Sequence, residues 1–160
     1  MKKLVVFYSF EGNTKYISEN IAKALDADIL ELKPVKDIKN NGFMKYVWGG
    51  KQVVTGSKPE LTNISVNFND YDIIFMGTPV WAFSFSPAFN TFFSEYKITG
   101  KKIALFCCDG GNKGKTFTNM RTMLSGNDVL GEIEFQEPIK GNEEKAKKAV
   151  EWALKMAEID

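Results

Sequence analysis

Six consecutive residues, Ser9-Phe10-Glu11-Gly12-Asn13-Thr14, bring two hydroxyls, a carboxamide and a glycine to the start of a run with helical spacing. Free backbone N–H groups and the positive end of a helix dipole favour an anion at such a place. Gly12 lets the backbone curl around it. The loop has neither the Lys-Ser/Thr of a nucleotide P-loop nor the three glycines of a dinucleotide fingerprint, so the anion it suits is a monophosphate. Ser9 and Asn13 are also common helix caps, and capping alone accounts for them equally simply.

Two further segments carry residues of unusual type. Gly77-Thr78-Pro79-Val80-Trp81-Ala82-Phe83-Ser84-Phe85-Ser86-Pro87 places a tryptophan just past a strand. There it can cover a flat ring, a contact worth about 1 kcal/mol beyond the area it buries; a core tryptophan is the plainer alternative. Cys107-Cys108-Asp109-Gly110-Gly111-Asn112-Lys113-Gly114 has three glycines within its last five residues. They allow a backbone to approach a ligand closely, or simply make a surface turn. Adjacent cysteines on a strand face opposite ways and read as buried, inert thiols. They form no disulfide framework. Histidine is absent, which removes the commonest general base and metal ligand, so no metal centre is expected.

The elements that must position these loops alternate. Leu4 to Tyr8 is a continuous apolar run, followed by Ile17, Ile21, Ala24 and Leu25 on one helical face. Further strands are expected at Asp28 to Leu32, Asp72 to Gly77, Lys102 to Cys108 and within Val129 to Gln136, with helices over 86–94, 114–124 and 143–158. Phe43, Val47, Trp48 and Val53 suggest one more helix, read here as a core helix; Gly42 to Leu61, with Tyr46, Trp48, Gly49 and Gly50, is alternatively a lid or dimer contact. Strand–helix alternation predicts a single α/β domain over 1–160, a three-layer doubly wound fold with parallel strands. Ligands bind such sheets beyond the carboxyl ends of the strands, which brings 9–14, 78–86 and 108–114 together.

The loop after the first strand resembles the phosphate loop of the flavodoxin family, Ser/Thr-x-Thr-Gly-Asn-Thr, matching at Ser9, Gly12, Asn13 and Thr14. Glu11 departs from it and is expected to face solvent. Gly77-Thr78-Pro79-Val80-Trp81 is similar to Gly-Ser/Thr-Pro-x-Trp segments of flavodoxin-like proteins that bind flavin mononucleotide (FMN). The resemblance implies a short-chain flavodoxin-like, five-stranded sheet in the order 2-1-3-4-5. It also implies non-covalent FMN, with phosphate held by Ser9, Phe10, Glu11, Gly12, Asn13 and Thr14. The isoalloxazine would then pack on Trp81, with Thr78, Pro79, Val80, Ala82 and Phe83 shaping that loop and Asp109, Gly110 and Gly111 on the other side. Relatives often have glycine where Phe83 stands, and many turn a peptide there to stabilise the one-electron-reduced flavin. With no glycine between Thr78 and Pro87, that movement costs more here.

Charge excludes other classes. Lys+Arg 21 against Asp+Glu 20 leaves no basic tail for nucleic acid and no field to steer partners. The opening MKKLVVFYSF is too short to span a membrane and reads as a strand rather than a signal, so a cytoplasmic protein is expected. The leading functional expectation is an electron-transfer flavoprotein, a monomer or weak dimer, serving a reductase or ferredoxin-like partner. One alternative is an FMN-dependent oxidoreductase that takes hydride from a nicotinamide and reduces a quinone or another small acceptor. A further alternative, suggested by Glu11, is a binding module that kept the fold without the flavin.

Overall fold

Successive residues of a strand face opposite ways, so a run that is apolar at every position needs cover on both sides. The computed structural model, which describes residues 1–37 and 44–159, shows this arrangement. Its elements are β1 (Lys3–Phe7), α1 (Asn13–Leu25), β2 (Asp28–Glu31), α2 (Met44–Val54), β3 (Ile73–Trp81), β4 (Ser84–Phe85), α3 (Pro87–Glu95), β5 (Lys102–Asp109), α4 (Thr116–Met123), β6 (Asp128–Gln136) and α5 (Pro138–Ala157). Val5, Phe75, Ala104, Phe106 and Cys108 pack towards α1 and α5, where Ile17, Ile21, Ala149 and Ala153 meet them. Their neighbours Leu4, Val6, Met76, Leu105 and Cys107 face the other layer, built from Phe89, Phe92, Phe117 and Met120. The two adjacent cysteines therefore do lie in opposite cores, both buried.

The parallel strands run in the order β2-β1-β3-β5-β6, which is 2-1-3-4-5 once the short β4 is set aside. That fifth pairing is a departure from expectation. The strand read as ending at Gly77 continues through Thr78-Pro79-Val80 to Trp81, and β4 returns against it as an antiparallel hairpin pairing Val80 with Phe85 and Trp81 with Ser84. Pro79 is tolerated because β3 still pairs there with Cys108 of β5 from one side, and proline lacks only the donor. At the other end, α5 has non-helical dihedrals at Asn142, so its regular part begins where the sequence predicts, at Glu143.

The helix expected near residue 43 forms as α2, Phe43 itself lying outside the described residues. It is not a core helix. Val47, Trp48 and Val54 are exposed, and among the residues from 47 to 54 only Gly49 is buried. Val and Trp mark an apolar helix without saying which way it faces, and the described part of α2 packs through Gly49 against Trp81 at the end of β3. No helix of the described residues is long and apolar enough to cross a membrane.

One close approach holds the centre of the sheet. Gly77 of β3 pairs with Phe106 of β5, and a Cβ at Gly77 would lie 2.2 Å from the Phe106 ring. The ring is fully buried and has nowhere to move. At Gly131 an added Cβ meets the flexible Met156 thioether at 2.7 Å, which can swing aside. Gly77→Ala should therefore cost about 3 kcal/mol or more by overpacking and Gly131→Ala about 1 kcal/mol; equal losses in urea-unfolding free energy would contradict the Gly77–Phe106 packing.

Candidate functional site

After β1 the chain leaves the sheet at Tyr8 and Ser9 and enters α1 through Gly12, whose φ of +94° turns the backbone. Ser9 Oγ accepts from the Lys15 amide at 3.1 Å, and Tyr16 N–H donates to Gly12 O at 2.9 Å. Ser9 thus does cap the helix, yet its own O–H is still able to donate. The first-turn amides of Asn13 and Thr14 have no intrahelical acceptor. Asn13 Oδ1 accepts from Ile139 N at 3.1 Å, leaving its NH₂ group as a donor, and the first turn of α5 backs the loop. The Thr14 hydroxyl is fully buried beside the Cys108 thiol and has no oxygen or nitrogen partner among the described residues.

The second wall is aromatic. Trp81 stands edge-on to Tyr8 at 5.6 Å and to Phe10 at 5.4 Å between ring centroids. Gly49 of α2 closes against the indole, for a Cβ there would lie 3.3 Å from Trp81 Cε3. The buried Tyr8 hydroxyl donates to both carboxylate oxygens of Asp37, at 2.9 and 3.0 Å, and burial pushes its phenol well above the usual range. Beyond Trp81, Ala82 and Phe83 both have positive φ, 46° and 61°, as a two-residue hairpin turn requires. Asn-Gly would adopt this cheaply; Ala and Phe cost about 1 kcal/mol or more each. The hairpin is held from outside. Lys115 N–H donates to Phe83 O at 2.8 Å, Asn119 Nδ2 donates to Ser84 Oγ at 2.9 Å, and Gly114 admits Phe83 where any Cβ would come within 2.4 Å.

The third wall follows β5. Asp109 Oδ1 accepts from Gly111 N–H at 2.7 Å, whereas Oδ2 is buried with no hydrogen-bond partner among the described residues. Burial raises the Asp109 carboxyl above its ordinary value; the Gly111 amide opposes this, Glu134 adds to it and Lys113 opposes it. Burial likewise pushes the Cys108 thiol up to about 12, against the Thr14 hydroxyl and with Asp109 reinforcing it, so the thiol is inert as expected.

Between these walls lies a cavity of about 410 Å³, within the usual range for a small ligand. Of the residues expected at the site, Ser9, Phe10, Glu11, Asn13, Thr14, Pro79, Val80, Trp81, Ala82, Asp109 and Gly110 line it. The other four stand behind or outside. Gly12 turns the loop from behind; Thr78 is fully buried, accepting from Ser86 N–H at 3.0 Å to fix the base of the hairpin; Gly111 backs onto Gln136; and Phe83 is 62% exposed. Glu11 is exposed at the rim. Sequence reasoning missed Gly49, Gly50, Cys108 and Glu137 as lining residues. A Gly-Gly pair inside a helical pattern was the available signal for the first two. The carboxylates on the lining are Glu11, Asp109 and Glu137, and no Lys or Arg of the described residues lines it, so any anion here would be held by neutral donors and the helix dipole. A wider dish of about 750 Å³ at the amino ends of the strands, around Met1, Asp72, Lys101 and Asp128, is open, has no aromatic wall and sits at the wrong edge of a parallel sheet. Among the described residues no group of three or more Cys, Asp or Glu side chains is placed to hold a metal ion.

Two outcomes test this geometry. Folded Asp109 binds its proton at a higher pH than the unfolded chain, so above its ordinary value of 3.8 the folded state holds more protons and this group's contribution to stability grows as pH falls. The melting temperature of the ligand-free wild type should accordingly gain on that of Asp109→Asn as pH falls from 7 towards 4; a shift the other way would mean that the carboxylate has a stabilising partner. Ala82→Gly should relieve the left-handed strain and raise unfolding free energy by about 0.5–1 kcal/mol, measured in urea; a loss would mean the turn is unstrained.

Comparison with known proteins agrees with this architecture. A family model described as flavodoxin matches residues 2–144. No curated protein matches in sequence. Among solved structures, a Lactobacillus acidophilus flavoprotein in complex with FMN superposes with a TM-score of 0.73 at 22% identity, covering 91% of this chain and 98% of that one. A Bacteroides eggerthii protein, provisionally called a flavoprotein, gives 0.80 at 20% identity over 98% of both chains, and oxidised flavodoxin 2 from Bacillus cereus gives 0.60 at 19% over 99% of both. With the family model spanning nearly the whole sequence, this chain belongs to the flavodoxin family.

Proposed function

We propose that the chain binds FMN non-covalently in this cavity and acts as an electron-transfer flavoprotein of the cytoplasm, exchanging electrons with a reductase or ferredoxin-like partner. The observation that carries the reading is the convergence on one cavity of a helix N-terminus rich in neutral donors, an aromatic wall and a glycine-rich strand end. The Thr14 hydroxyl supports the fit, since it is buried at the cavity with only the Cys108 thiol beside it and no oxygen or nitrogen partner among the described residues, and an incoming phosphate oxygen would accept from it more strongly than sulfur does. Ser9, Asn13, Thr14 and the first-turn amides would hold the phosphate, Trp81 and Phe10 the ring, and Asp109 and Gly110 its far side. Bound FMN supplies the redox chemistry, and the protein supplies orientation and exclusion of water. The acidic lining disfavours added negative charge and so lowers the tendency to accept electrons.

One observation favours the second reading, an FMN-dependent oxidoreductase using a nicotinamide and a small acceptor. The Phe83 carbonyl is already engaged by Lys115 N–H within a clamped hairpin, so this peptide is not free to turn towards a one-electron-reduced ring.

Adding FMN to the purified protein should quench flavin fluorescence at a one-to-one end point. Glu11→Thr should tighten that binding about two- to fivefold, the usual worth of one exposed charge interaction. No binding by either protein would overturn the FMN assignment, and unchanged affinity would remove Glu11 from the phosphate's surroundings. Anaerobic dithionite titration of the loaded protein separates the two roles: a half-reduced absorption spectrum accumulating midway is expected for a one-electron carrier, and direct bleaching for a hydride-transferring oxidoreductase.

A further inference from the structure

Two glycines in succession in the middle of an eleven-residue helix need a reason, because each is a poorer helix former than alanine there. Neither Gly49 nor Gly50 has a left-handed φ, so backbone conformation does not require them. Gly49 is accounted for by packing: an added Cβ would press on the Trp81 indole at 3.3 Å. Gly50 is different. A Cβ at Gly50 would meet nothing within 4 Å among the described residues, so no described atom demands glycine at this position, yet the residue borders the cavity. The helix that carries it leaves Val47, Trp48 and Val54 exposed, so α2 is not there to fill a core. Its buried contact is with the aromatic wall of the site.

We propose that Gly50 is a ligand-contact position, where bare backbone of α2 lies against the flavin ring and sets the room available to it. This rests on the FMN reading above and extends it to an element outside the three loops at the strand ends. Gly50 neighbours the Gly49–Trp81 contact, whereas the phosphate donors sit on α1, so the part of the cofactor it limits is the ring. A side chain at residue 50 would occupy ligand space without displacing any atom of the described residues. Stability and affinity should therefore move in opposite directions, which a merely structural glycine does not allow.

The test uses the full chain, wild type, Gly50→Ala and Gly50→Leu, with melting of the flavin-free proteins and fluorescence titration with FMN and with riboflavin, which has the ring but no phosphate. Without flavin, Gly50→Ala should melt about 2–4 °C higher through helix propensity alone. Gly50→Leu should bind FMN at least tenfold more weakly than wild type, with the same fold-loss for riboflavin. Gly50→Leu binding within twofold of wild type would overturn the proposal, as would a lower melting temperature for Gly50→Ala, which would reveal a protein contact at residue 50. A loss confined to FMN would place Gly50 at the phosphate and overturn the ring assignment. Failure of the wild type itself to bind either flavin would sink the FMN reading, an outcome distinct from all of these.

Discussion

The register between β3 and β5 governs the whole ligand edge, and the fit of the Phe106 ring over the bare backbone of Gly77 holds that register. Pairing continues from there to Pro79 opposite Cys108, so the two strands leave the sheet together, one towards Trp81 and the other towards Asp109. A slip of one residue would turn every side chain to the opposite core and separate the aromatic wall from the glycine-rich one. With β1 pairing on the other side of β3, Tyr8 and Ser9 emerge beside them. The cavity is thus a consequence of three parallel strands ending in step, and its chemistry comes from what each strand carries just past its last pairing.

Much of this was legible in the sequence. Uninterrupted apolar runs at 4–8, 73–77 and 103–108, too short for helices, point to strands covered on both faces, and the 3.6-residue stripe of Ile17, Ile21 and Leu25 points to a helix lying on them. The turn from β1 into α1 was visible because a glycine flanked by hydroxyls and an amide, set where a strand hands over to a helix, allows a left-handed backbone and helix-capping donors and acceptors there. The hairpin was not visible: Ala82 and Phe83 are poor residues for left-handed turns, and what makes them adopt that geometry is Gly114 and α4, some thirty residues later. Local sequence carries no trace of such a distant constraint. The misreading of α2 has the opposite origin. Its apolar residues were real, but their exposure depends on where the sheet ends, a property of the assembled layers.

The unsatisfied groups mark where the fold accepts a cost. Three buried side-chain oxygens have no oxygen or nitrogen partner among the described residues: those of Thr14 and Asp109, which line the same cavity, and Ser86 Oγ, at the base of the hairpin. Strained φ at Ala82 and Phe83 lies along its rim. The core proper, by contrast, is apolar and closely packed. Local rules are broken in the loops and at helix ends, Asp26 and Asn142 included, and several of these places border the cavity.

The bond from Ile139 N–H to Asn13 Oδ1 joins residues 126 positions apart and has a bearing on how the protein is made. During synthesis α1 and its loop leave the ribosome early, and β1 must wait for β3 before it gains its central neighbour. The loop has its backing only once α5 has docked against α1. A growing polypeptide therefore carries this loop without its backing until α5 has been made and has docked, so the loop reaches its final form late in folding.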